Sequence, residues 1–106
     1  MLVSLEKMLA KGVDNALLRF GLGKGHLDAG DHTNAVEHLQ RCVEFDSKYS
    51  AAWKLLGKAW LAAGDDAQAR HAWERGLEAA AAHGDNQAEK EMTVFLKKLG
   101  RRNNAL

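Results

Sequence analysis

Five histidines and one cysteine have the most chemical capacity in this chain: His26, His32, His38, His71, His83 and Cys42. Imidazole and thiolate bind zinc, and a structural zinc site takes four such ligands. The spacing does not bring four together. No H-x3-H pair occurs, and the one pairing on a helical pitch is His38 with Cys42. A thiolate activated by an imidazole is the other chemistry these types allow, but a thiol on an apolar face is a small inert hydrophobe. Gly21, Gly23 and Gly25 read G-x-G-x-G, yet they lie inside a helical pattern with no strand before them, which a phosphate loop requires. The sequence therefore predicts no metal site, no cofactor and no catalytic residue. The expectation is a protein that binds and is not an enzyme.

Composition narrows what it binds. A chain of 106 residues is one domain. It has no proline and is rich in Ala, Leu, Lys and Glu, which predicts an all-α fold. The net charge of +1 lacks the basic excess of a nucleic-acid binder. A single cysteine excludes an intramolecular disulfide. Glu6, Lys7 and Lys11 break the first apolar run below signal-peptide length. No stretch reaches the roughly 20 apolar residues of a membrane span. The expectation is a cytoplasmic protein without nucleic-acid or membrane partners.

The elements that carry these residues are two copies of one helical hairpin. From Ser50 to Leu77, Trp53, Leu56, Gly57 and Trp60 mark a first helix, Gly64 and Asp65 a turn, and Ala69, Trp73, Gly76 and Leu77 a second helix. About 34 residues earlier the order recurs as Leu22, Gly23, Gly30, Asp31, Ala35, Leu39, Cys42 and Val43. Trp53, Leu56 and Trp60 share one helical face. Gly57 stands where a side chain would hold the second helix away. Ala69 and Gly76 are small positions on one stripe, with Trp73 between them supplying bulk. Gly64 suits a left-handed cap, and Asp65 and Asp66 suit the positive end of the helix that follows. The first copy departs from the second: Arg19 stands in the place of Trp53, and His26 in the place of Trp60. The Arg19 stem is expected to pack while its head reaches water.

The remaining segments extend the pattern at both ends. Residues 2–11 read as a helix in which Leu5, Met8 and Leu9 align with Leu39, Cys42 and Val43. This is the second helix of a repeat whose first helix is absent. Asp14 is the expected N-cap of the next helix. Repeat one spans 15–48 and repeat two 49–83. Residues 85–99 form a closing helix: shifted by about 39, Trp53, Leu56 and Trp60 land on Met92, Phe95 and Leu99. The domain is thus 1–100, with about six helices, and 101–106 is expected to be a frayed tail.

These residues resemble the tetratricopeptide repeat family. The resemblance implies a right-handed superhelix of helical hairpins that acts as a protein–protein interaction adaptor. First helices of such arrays line a concave groove that takes an extended peptide or a helix. The resemblance puts there Leu17, Phe20, Gly21, Lys24, Leu27 and Asp28 from repeat one, and Ala51, Lys54, Leu55, Lys58, Leu61 and Ala62 from repeat two. Lys90, Val94 and Lys97 extend the face along the closing helix. Some members grip the C-terminal carboxylate of chaperone peptides with a Lys and Asn pair. Those places hold Phe20 and Lys24 here, so that ligand is not expected. Lys24, Lys58 and Lys97 fall at equivalent positions, a ladder suited to an acidic protein segment. The alternative is a structural module that self-associates, or stacks on another helical protein through an end helix.

Overall fold

The computed structural model describes residues 1–104. Six α-helices follow one another: α1 Leu2–Ala10, α2 Ala16–Asp28, α3 His32–Phe45, α4 Ser50–Ala62, α5 Asp66–His83 and α6 Asn86–Asn104. Among the described residues there is no strand, and no helix is long and apolar enough to cross a membrane.

Short polar side chains start α2, α3, α5 and α6. Asn15, Asp31, Asp65 and Asp85 each accept the backbone N–H three residues on, from Leu18, Asn34, Gln68 and Ala88. Such a cap satisfies one of the orphan donors of a first turn. The cap of α2 is Asn15, not Asp14 as the sequence suggested, because the Asp14 carboxylate turns to Arg19. The turns at Gly64 and Gly84 have φ of 87° and 73°, the left-handed region that a Cβ disfavours.

α2 pairs with α3 and α4 with α5, while α3 packs on α4 and α5 on α6. Small residues set the close approaches. Gly23 lies against Leu39, Gly57 against Trp73, and Gly76 against Met92. The G-x-G-x-G run follows from the same rule applied to two neighbours. Gly23 faces α3, whereas a Cβ at Gly21 or Gly25 would stand 3.0 Å from Leu5 or 2.6 Å from Leu2 of α1. One buried cluster joins α3 and α4 through Leu39, Val43, Trp53 and Leu56. A second joins α5 and α6 through Trp73, Ala80, Met92 and Leu99. Trp60 packs against both.

The last helix corrects the sequence reading. It does not stop at Leu99 with a frayed tail but runs through Gly100 to Asn104. Arg102 reaches Asp66 at the start of α5 (3.9 Å), and Arg101 and Arg102 sit where the helix dipole favours cations. Residues 105 and 106 lie outside the described residues.

Candidate protein-binding face

The helices are not equally spaced on the two sides of the stack. α2 approaches α4, and α4 approaches α6. Among the described residues α1 does not approach α3, nor α3 approach α5. A stack whose first helices touch and whose second helices splay is curved toward the first helices. The layer α2, α4, α6 is therefore its inner side.

The sequence-predicted residues on this layer divide by environment. Phe20, Leu27 and Leu55 are half-buried against the α3–α4 cluster, and Leu61 against the α5–α6 cluster. Phe20 stacks on Tyr49, centroids 4.9 Å apart and rings 18° from parallel. Leu17 (72%) and Val94 (46%) are exposed apolar side chains. Gly21 is partly covered by Leu5 of α1 and lines a pocket with Lys24.

The lysines are partly engaged within the chain. Lys24 pairs with Asp28 at 3.0 Å, both side chains exposed. Lys54 pairs with Glu91 of α6 at 3.3 Å. Lys58 lies over the Phe95 ring, 5.1 Å from its centroid. Lys54 and Lys58 thus fasten α6 to α4. Lys90 and Lys97 are exposed. Tyr49, Glu91 and the Phe95 ring were missed as neighbours of this face, because each meets it through a contact distant in sequence.

The chemically capable residues lie elsewhere and are committed to structure. Arg19 does not send its head to water: its side chain is 11% exposed. Its guanidinium donates twice to Asp14, at 2.7 and 2.9 Å, and lies 3.0 Å from His38 Nδ1. That hydrogen bonding holds the Asp14 carboxyl below the ordinary carboxylate range. His38 stacks on His26 at 5.3 Å, and burial, then the Arg19 and His26 charges, push its imidazole below its usual value. Cys42 Sγ donates to Ala16 O at 3.2 Å. Burial pushes this thiol up to about 12, far from a reactive thiolate. Among the described residues no three His, Cys, Asp or Glu side chains cluster as metal ligands.

Ser50, His83 and Asp85 have the residue types of a hydrolase triad but not its order. The buried Ser50 hydroxyl donates to Asp85 at 2.5 Å and lies 3.4 Å from His83 Nε2. A triad needs the imidazole between serine and carboxylate. Here the serine hydroxyl donates straight to the carboxylate, and that hydrogen bond holds Asp85 below its ordinary range. Asp85 also caps α6, so the contact ties the starts of α4 and α6 together.

These hairpins, with glycine under a bulky residue at one offset in each, define a helical-repeat protein. The tetratricopeptide repeat family matches over residues 26–89. A TPR repeat-containing protein of Pseudomonas aeruginosa is 77% identical over 101 residues, which is 95% of this chain and 96% of that protein. The chain belongs to the tetratricopeptide repeat family. The solution structure of a Bordetella parapertussis protein superposes with a TM-score of 0.84 at 48% identity, covering 97% of this chain and 90% of that one. A heat-shock protein cognate co-chaperone of Aspergillus fumigatus is 31% identical over 71 residues, 67% of this chain and 21% of that protein. Tetratricopeptide repeat proteins are generally protein–protein interaction modules and non-catalytic scaffolds.

Proposed function

We propose that this chain is an adaptor that binds a segment of another protein, an extended peptide or a helix, along the inner face of α2, α4 and α6. The observation that carries the reading is the approach of α2 to α4 and of α4 to α6 while the second helices splay apart. A ligand on the inner side meets several helices at once, and a rigid scaffold spares it the cost of ordering the protein. Half-buried Phe20, Leu27, Leu55 and Leu61 offer apolar contact, flanked by Lys24, Lys54, Lys58, Lys90 and Lys97.

Five lysines against the two carboxylates that pair with them, Asp28 and Glu91, leave positive charge over. The segment is accordingly acidic, with apolar residues interspersed. Complementary charge of this kind raises the association rate and sharpens specificity more than it adds affinity. The Lys24–Asp28 pair is an exposed ion pair, worth about 0–1 kcal/mol, so a partner carboxylate displaces Asp28 at little cost. A random peptide display selection on the immobilised protein tests the reading. It should return acidic sequences with spaced apolar residues, and enrichment should vanish on a Leu55→Glu protein. Equal enrichment on wild type and Leu55→Glu would contradict it.

A further inference from the structure

The first helix exposes the face that both complete hairpins bury. Ala35, Leu39 and Cys42 on α3 are buried, as are Ala69, Trp73 and Gly76 on α5. The first helix of the same hairpin covers part of each face, with Gly23 set against Leu39 and Gly57 against Trp73, while Met92 of α6 closes over Gly76. The equivalent positions of α1 are Met1, Leu5 and Met8, and among the described residues α1 packs on α2 alone. Met8 is 43% exposed where Cys42 is 0%. Leu5 rests on Gly21 of α2 and stays half-exposed.

The pairing of α2 with α3 says what a covering helix must carry. The start of α2 lies beside the C-terminal half of α3, where Cys42 Sγ meets Ala16 O. Asp14 there stands in the field of Arg41. The α1 residue in the place of Arg41 is Lys7, with Lys11 one turn on. A helix laid on α1 in the same sense brings its first turn to these two lysines. Carboxylates in that turn would meet both cations and the positive end of their own helix. In its middle a small residue must face Leu5, as Gly23 faces Leu39.

We propose that α1 docks one amphipathic helix of a partner protein, with an acidic first turn and a glycine or alanine amid its apolar face, in the place that a first helix takes in the complete hairpins. This surface is the end of the stack; it borders the inner face at Met1, which shares a pocket with Lys24 and Asp28, and leaves it at Met8. The chain itself supplies a poor occupant. Leu96 of α6 stands where Gly57 stands in α4, so α6 of a second copy would present bulk to Leu5 where a small residue is needed.

Methionine methyl NMR of the intact protein tests the proposal, because its three methionines are Met1, Met8 and the fully buried Met92. The probe is a synthetic peptide of residues 48–63 carrying Lys48→Glu, which has an acidic start and keeps Gly57. Its titration should shift the Met1 and Met8 methyls saturably and leave Met92 in place. The peptide with its native Lys48 should bind about threefold more weakly at low salt. The Gly57→Leu peptide should produce no shift, and Met8→Glu in the protein should weaken binding by about tenfold or more. Unmoved Met1 and Met8 methyls would overturn the proposal, as would equal binding of the Gly57→Leu peptide. Met1 and Met8 shifts that change on dilution without peptide would also overturn it, by giving this face to a second copy. A peptide held only on the inner face moves at most Met1, which lines a pocket with Lys24 and Asp28, and leaves Met8 in place, so the Met8 methyl separates the two readings.

Discussion

Gly57 of α4 lies under the indole of Trp73 on α5, so close that a Cβ at residue 57 would overlap the ring. Trp73 is held there by its Nε1, which donates to Lys54 O at 3.0 Å. The ring therefore has little freedom to yield. Gly57→Leu should overpack the crossing and cost about 1–3 kcal/mol or more. Thermal melts of the two proteins check this, and an unchanged Tm would place the crossing elsewhere.

Phe95 holds α6 on the stack, its ring 5.2 Å from Trp73 and under Lys58. It is half-buried, so Phe95→Ala should cost about 2 kcal/mol, below the ~3–5 of a fully buried phenylalanine. Urea unfolding measures the loss. Removing residues 86–106 uncovers Trp73 and Gly76 and should cause aggregation. A deletion protein that stays monomeric and unfolds cooperatively would contradict the closing role of α6.

His38 makes stability depend on pH in a known direction. Burial, then Arg19 and His26, lower its folded pKa, against weaker opposite effects of Glu37 and Glu6. The unfolded chain then binds the extra proton near pH 6, so stability is lost as pH falls through the unfolded value of about 6.5. Asp14, Asp31 and Asp85, whose pKa values are also lowered, lose their contributions only further down, as pH falls through and below about 4. His38→Gln keeps an acceptor for Arg19 and removes this titration. Its stability should fall less than that of wild type between about pH 7.5 and pH 5.5 in chemical denaturation. Parallel pH profiles would remove His38 as the cause.

The hairpins were legible because their rules are local. Leu56, Gly57 and Trp60 fix a helical face, Gly64 its end and Asp65 the next start, all within a few residues. What stayed illegible depends on distant partners. Nothing near Arg19 in sequence announces His38, which receives its head 19 residues away. The equal spacing of Gly21, Gly23 and Gly25 hides that they face two different helices. The engagement of Lys58 in the ladder, and of Lys54 beside it, was not legible because Phe95 and Glu91 come from α6. The helical turn after Leu99 was missed since Gly100 and two asparagines read as a stop, while Asp66, which meets Arg102, is far back in the chain.

The central claim is that the inner face of α2, α4 and α6 takes an acidic protein segment. The most direct test is the affinity of a display-selected acidic peptide for wild type and for Lys24→Glu with Lys58→Glu, at low and at physiological salt. Wild-type affinity should fall with salt, as exposed charges are screened beyond roughly 8–10 Å, and the double variant should bind at least about tenfold more weakly at low salt. Equal affinity of the two proteins at low salt would contradict the claim and reduce the lysines to a solvated surface.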